Sequence, residues 1–431
     1  ALGFCLILFG VLAPNSFGSE GPEFQYKPIE ESKGTITLGQ AVALALIQNP
    51  ELAAFSWRIR ALEANALQAG LLPNPDLDVE VENAGGTGKF SGLSQTETTI
   101  QMSQLIEIGN KRALRARAAS LFKDLAGWDY ETKRVDVLTQ VSKAFTDVLG
   151  AQQQLDLGND LVGLAQKVKS TASERVKAGK VSPIEEIKAK VALSSTRIQL
   201  DRAKRELEAA RQRLAATWGS TNPLFKAAQG NLYSISPIPS LESLAARLSK
   251  NPDLARWTTE IAQRKAVVDK EKSKAIPNIT LRGGFRRLEE TDDNAFIFGV
   301  SVPLMIFDRN QGTIQKSLHQ LTKAEVNQRA AEVRVNKKLA DAYKALAVAF
   351  SEAETLKSQV LPGAQKAFDS INEGYRFGKF GFLDVLDSQR TLFQAKAQYL
   401  SSLTAYHKAI ADVERLIGGA LNSASLLPES K

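Results

Sequence analysis

Four short motifs occur twice along this chain, in the same order. Asn49-Pro50-Glu51-Leu52 returns as Asn251-Pro252-Asp253-Leu254, and Leu72-Pro73-Asn74 as Ile276-Pro277-Asn278. Ala178-Gly179-Lys180-Val181 returns as Phe377-Gly378-Lys379-Phe380, and Trp218-Gly219 as Ile417-Gly418. The chain is therefore read as two copies of one architecture, 36–219 and 240–418, joined by a linker at 220–239 rich in Pro and Ser. Its 431 residues are enough for two or three ordinary domains. A duplication instead ties the two halves to a single design.

Each copy has the same order of elements. A helix (37–71 and 240–275) precedes a stretch of alternating residues, and a very long helix (110–177 and 311–376) follows. A Gly-punctuated turn then leads to a last helix at 183–218 and 382–417. At a rise of ~1.5 Å per residue, each long helix reaches about 100 Å. Pro362-Gly363 is expected to kink or break the second of them. In the last helix Leu386, Phe393 and Leu400 recur every seventh residue, as do Leu403, Ile410 and Ile417. Such lengths suit a coiled-coil rod or tube. On the helices alone, a soluble helical bundle competes with it.

The alternating stretches favour the tube. Leu77, Val79 and Val81 alternate with Asp78, Glu80 and Glu82, and Thr98, Ile100 and Met102 with Thr99, Gln101 and Ser103. In the second copy Ile279, Leu281 and Phe285 alternate with Thr280, Arg282 and Arg286. Phe296, Phe298, Val300 and Val302 alternate with Ala295, Ile297, Gly299 and Ser301. The expected strands are 77–83, 95–104, 278–288 and 294–304, about ten residues each, enough for a tilted strand to cross a bilayer. Their polar face suits a water-filled lumen. Open sheet edges are forbidden in lipid, and four strands cannot close a pore, so several protomers must share one barrel. The alternative is a pair of amphipathic hairpins packed on helices in a soluble protein.

Composition removes other classes. The formal net charge of +8 invites a nucleic-acid partner, but Lys and Arg are dispersed among Glu and Asp with no interleaved aromatics, so none is expected. The one cysteine, Cys5, allows no internal disulfide and no thiolate metal site. It lies in an apolar run that reads as a signal peptide at 1–18, followed by an extension at 19–35. A tail occupies 419–431. No later run reaches 18 apolar residues, so no transmembrane helix is expected. His319 and His407 sit alone in helices, and no glycine cluster stands at a strand-to-helix junction. Neither catalysis nor a bound cofactor or metal is expected.

The inter-helix turns carry more signal. Ser182-Pro183-Ile184-Glu185 reads as a capping box with Pro at the first helical position. Gly179 and Gly378 are placed to end the preceding helices in a left-handed conformation. Asp384 and Asp387, three residues apart, share one face near the start of the last helix. They either complement the helix dipole or, repeated around an axis, form stacked acidic rings.

Five blocks in order resemble the TolC family of outer-membrane efflux ducts, and within it the cobalt-zinc-cadmium heavy-metal branch. They are Thr37-Leu38 through Asn49-Pro50-Glu51-Leu52; Gln68-Ala69-Gly70-Leu71-Leu72-Pro73-Asn74-Pro75; Glu107-Ile108-Gly109-Asn110-Lys111-Arg112; Ala178-Gly179-Lys180-Val181-Ser182-Pro183-Ile184-Glu185-Glu186; and Gly374-Tyr375 with Gly378 and Leu383-Asp384-Val385-Leu386-Asp387-Ser388-Gln389-Arg390. The resemblance implies a mainly α fold with a β-barrel portion. Duplicated helical hairpins would form a periplasmic α-barrel, with four transmembrane strands per protomer and twelve in a homotrimer. It implies an outer-membrane location in contact with lipid, a periplasmic adaptor and an inner-membrane RND-type pump as partners, and passive export of heavy-metal cations. Drug or polypeptide export, or a soluble periplasmic coiled-coil adaptor, are the alternatives. By the same resemblance Asp384, Asp387 and Tyr375 form the periplasmic gate, and Lys180, Val181, Lys379 and Phe380 are tips that an adaptor grips. The family archetype places an arginine gate contact where this chain has Phe380, with Lys379 beside it.

Overall fold

The computed structural model describes residue 31 and residues 33–421. The expected leader, most of the 19–35 extension and most of the tail lie outside the described residues.

In the first copy β1 (Thr35–Thr37) leads into α1 (Leu38–Gln48), whose N-terminus is closed by reciprocal bonds between Thr37 and Gln40. Next come α2 (Pro50–Ala69), β2 (Asp76–Glu82), β3 (Glu97–Ile106), the 67-residue α3 (Lys111–Lys177) and α4 (Pro183–Ala216). The linker holds β4 (Ala227–Gln229), which pairs in parallel with β1. The second copy runs α5 (Leu241–Ala245), α6 (Pro252–Ser273), β5 (Ile279–Leu288), β6 (Asp293–Ser301), α7 (Gln311–Thr355), α8 (Leu361–Arg376) and α9 (Phe382–Ile417).

Two helical expectations are corrected. The single helix expected at 37–71 is two, because Pro50 takes the first helical position of α2 and Asn49 caps it by accepting from the Leu52 amide. Asn251 and Pro252 cut the second copy in the same way, with Asn251 accepting from Asp253. Near Pro362-Gly363, where a kink or break is expected, the α-helix is interrupted but the chain stays helical. A π-helical segment, Leu356–Val360, absorbs the prolyl ring's missing donor just before it, and helical dihedrals persist on both sides.

The elements pack in three layers, each open at both ends. The sheet order is β2-β3-β5-β6, antiparallel throughout. Beneath it the helices lie side by side as α2-α3-α6-α7, and towards the far tip as α4-α3-α9-α8, with α7 also against α9. One end of every layer comes from the first copy and the other from the second. Where α1, α3, α4, α9 and the linker meet, Phe145, Leu214, Trp218 and Phe225 are fully buried in one apolar cluster. Each such side chain contributes about 1.5–3 kcal/mol.

The sheet reverses the usual burial. Its register aligns Val79, Ile100, Phe285 and Phe296 across the four strands, and Leu77, Met102, Gly283 and Phe298 beside neighbouring rungs of the same face. That apolar face is the uncovered one, with Phe298 84% exposed. On the polar face burial is limited to β3: Thr99 is 3% exposed and accepts from Arg286, whose guanidinium also reaches Glu82 and Glu97, while Asp78, Glu80 and Arg282 stay exposed.

Candidate functional site

The two inter-helix turns lie at one end of the rod and are built alike. Gly179 and Gly378 take φ of +69° and +77°, where a Cβ is strained. The Lys180 amide donates to Arg175 and the Lys379 amide to Gly374, satisfying carbonyls that the helix ends would leave orphaned. Lys180, Lys379 and Phe380 are exposed and Val181 half-buried. The Phe380 ring lies over Gly374, where any Cβ would stand 2.4 Å from it.

Behind the turns the hairpins lock together. Tyr375 is 2% exposed and packs with Phe382, Val385, Val168, Ala172 and Ala189. Its hydroxyl donates to Glu185 Oε2 at 3.2 Å. The Arg175 guanidinium donates to the Tyr375 carbonyl at 2.7 Å and stacks 4.3 Å from the ring centre. Burial, then the adjacent Glu185 charge, raises the phenol pKa against the opposing pull of Arg175, so the hydroxyl stays protonated and donates.

Glu185 is thus corrected from its reading as a capping residue. Ser182 accepts from the Ile184 amide at 3.3 Å rather than from the third helical position, and the Glu185 carboxylate turns to the other hairpin. Arg175 was missed: nothing local marks it, because its contacts lie two hundred residues away.

Asp384 accepts from the Gly381 amide at 2.8 Å, closing the start of α9. Asp387 pairs with Arg390 at 2.7 Å, both well exposed; such a pair contributes about 0–1 kcal/mol. Asp387 and Arg390, but not Asp384, line a groove of about 740 Å³ floored by α3 and walled by α4 and α9. Leu157, Leu161 and Phe393 line it, as does Gln389, whose buried Oε1 has no partner.

His319 is exposed, while His407 is buried with Nε2 at 2.9 Å from the Leu232 carbonyl. Among the described residues no group of His, Cys, Asp and Glu is placed to hold a metal ion. No described helix is long and apolar enough to cross a membrane.

A sheet with an uncovered apolar face on a rod of long paired helices is the fold of an outer-membrane channel. The model of the outer membrane efflux protein family matches residues 41–220 and 244–419, and the chain belongs to that family. It is 37% identical to the cobalt-zinc-cadmium resistance protein CzcC of Cupriavidus metallidurans, over 90% of this chain and 91% of that protein. It is 24% identical to the nickel and cobalt resistance protein CnrC of the same organism, over 69% and 70% of the two chains. Among solved structures, CusC superposes with a TM-score of 0.77 at 17% identity, covering 93% of this chain and 99% of that one. The CmeC outer membrane channel of Campylobacter jejuni gives 0.75 at 17%, covering 90% and 87%.

Proposed function

We propose that three copies of this chain close a twelve-stranded barrel in the outer membrane above a helical barrel in the periplasm, as a passive exit duct for heavy-metal cations. The observation that carries the reading is the sheet with an uncovered apolar face on one side and a row of charged and polar side chains on the other. The apolar face fits lipid. There each unpaired backbone group costs several kcal/mol, so the outer edges of β2 and β6 need partners. Four strands are too few to close, and twelve suit an open channel. The helical layers, open at the same two ends, call for the same ring. In this reading 36–219 and 240–418 are the two repeats that each copy contributes.

The cargo rests on the relatives, which are resistance proteins for cobalt, zinc, cadmium and nickel. Asp78 and Glu80, on the inward face and in no ion pair among the described residues, give the lumen a charge suited to cations. A periplasmic adaptor would grip Lys180, Val181, Lys379 and Phe380, and an inner-membrane RND-type pump would supply the energy. The chain itself carries out no chemistry. The gate in this reading is Tyr375, held by Glu185 and Arg175, with Asp384 and Asp387 facing the axis.

Protein extracted from outer membranes in mild detergent should run as a trimer in native mass spectrometry; a water-soluble monomer overturns the duct. Deleting the gene should raise sensitivity to zinc, cobalt or cadmium, and unchanged tolerance removes the metal cargo. In planar bilayers Asp384→Ala with Asp387→Ala should raise conductance and weaken block by multivalent cations. Neither change occurring removes the acidic rings.

A further inference from the structure

The segment from Glu107 to Arg112 connects β3 to α3, at the end of the rod opposite the two turns. Its Glu107 and Lys111 line a cavity of about 560 Å³ at the joint between sheet and rod, with Arg115 one helical turn further on. Lys270 and Lys274, from the end of α6, line it from the other copy of the repeat. We propose that this cavity holds a phosphate dianion, taken from the water on the polar side of the sheet.

Four cations meet there, and two carboxylates answer them. Arg115 is committed: its guanidinium donates to both oxygens of Glu107 and to the carbonyls of Ala69 and Leu71. Lys270 and Lys274 share the single carboxylate of Glu271. Lys111 has none. Its ammonium donates to the Ile276 carbonyl and to Asn278 Oδ1, both uncharged, and it forms no ion pair among the described residues. The lining is therefore left with two positive charges in surplus. An ammonium has three N–H donors, so Lys111 and Lys270 both have donors left over. Burial pushes the Lys111 pKa down against the pull of the Glu107 charge, as expected of a cation short of a counter-charge.

Register sets the side from which a ligand enters. Thr280 lies opposite Leu105, and both line the cavity. Steps of two residues carry Thr280 to Arg282 and Arg286, and Leu105 to Ser103 and Thr99. The cavity therefore belongs to the charged and polar face, and a phospholipid would stand on the opposite one. A phosphate dianion matches the surplus, and its oxygens accept from several ammonium groups at once. In a duct for cations, surplus positive charge on the inward wall would repel the cargo, and a resident dianion removes that repulsion. This last point rests on the duct reading, whereas the charge count stands on one chain.

Titration calorimetry of the full chain in detergent tests the site with inorganic phosphate, at constant ionic strength and about pH 8, where the dianion prevails. One phosphate per chain should bind the native protein saturably. Lys111→Gln keeps an amide donor for Asn278 and removes the unanswered charge. Lys270→Gln leaves Glu271 to Lys274 and Asn310. Each should weaken phosphate at least about ten-fold, through loss of a hydrogen bond between charged groups. Lys204→Gln, exposed on α4, should bind as the native protein does. No saturable binding by the native protein, or undiminished binding by either variant that melts like it, overturns the site. Should Lys111→Gln fail to fold for want of its bonds to Ile276 and Asn278, Lys270→Gln decides alone. Native mass spectrometry of the same samples separates the site from the duct. A trimer that binds no phosphate overturns the site and leaves the duct standing, and a monomer that binds it does the reverse. A phospholipid retained by the native protein and lost from Lys111→Gln would set the cavity against lipid and overturn entry from the water.

Discussion

The sheet and the helical rod bury opposite sides of themselves. In the rod, Phe145, Leu339 and Leu403 are fully buried and charged side chains face outward. In the sheet, Phe296 and Phe298 stand uncovered while Thr99 and Ser103 are buried. One chain has therefore been written for two solvents, and the crossover falls at the short connections around Pro73, Gly109 and Pro277. Apolar exposure on a water-soluble surface would be a liability. Here the largest exposures within the sheet, at Phe296 and Phe298, fall on its one apolar face, while single apolar side chains such as Leu67, Val191 and Val333 are exposed along the helices.

The strongest way to break the comparison is to weaken the rod alone. Phe145→Ala removes a fully buried ring from the large cluster, with an expected cost of about 3–5 kcal/mol. Limited proteolysis of detergent-held protein should then cut the helices at lower temperature while the strands stay protected. Equal loss of protection in both regions would mean that they fold as one unit.

The reciprocal change tests the sheet. Phe298→Arg places a charge on the uncovered face near the middle of β6, where lipid penalises it by about 2–4 kcal/mol. Membrane-inserted protein should fall sharply. Gln101→Arg, one strand position from Met102 but on the inward face, should insert almost normally. Similar behaviour of the two variants would contradict the assignment of faces.

The joint between the regions is held by Glu271, which is 5% exposed. It accepts from Lys270 at 3.0 Å, Lys274 at 2.9 Å and Asn310 at 3.1 Å. Burial opposes its ionisation, but these bonds outweigh burial and hold its pKa at about 2. Because the folded value lies below the unfolded one, the stabilisation is full above about pH 4.5 and lost as pH falls towards 2. Glu271→Gln should lower thermal stability by about 2–3 kcal/mol near neutral pH, with the gap from the native protein closing below pH 4. A gap independent of pH would assign the residue a packing role only.

Both regions were legible in the sequence to different depths. Period-two alternation around Val79, Ile100, Leu281 and Phe298 is legible because the sheet keeps its apolar side chains on one face and its charged and polar ones on the other. The 67-residue α3 was legible because nothing within 111–177 breaks a helix. Breaks set by a neighbour were harder to see. Asn49-Pro50 interrupts the helix expected at 37–71 because Asn before Pro at a helical start is a cap signal that outweighs the continuous helical pattern around it. The β1–β4 pairing and the Phe225 site in the linker depend on residues nearly two hundred positions apart, for which no local pattern exists. The same distance hid Arg175 and misassigned Glu185, whose spacing from Ser182 satisfies a capping box that the structure does not form.

That misassigned carboxylate yields the smallest and most specific effect, at the end of the rod farthest from the sheet. Tyr375→Phe keeps the ring against Phe382 and under Arg175 but removes the hydroxyl that reaches Glu185. A hydrogen bond to a charged acceptor contributes about 1.5–3 kcal/mol, and at 3.2 Å the lower figure is expected. Because the bond joins the two hairpins, its loss should leave global unfolding nearly unchanged. Hydrogen exchange should rise at the amides of the two turns, from Gly179 to Ser182 and from Gly378 to Gly381. Glu185→Gln still offers an oxygen to the phenol, so it should loosen the turns less than Tyr375→Phe. If Glu185→Gln loosens them as much or more, the carboxylate charge acts through Arg175 instead, and the hydroxyl bond is a bystander to the joining of the hairpins.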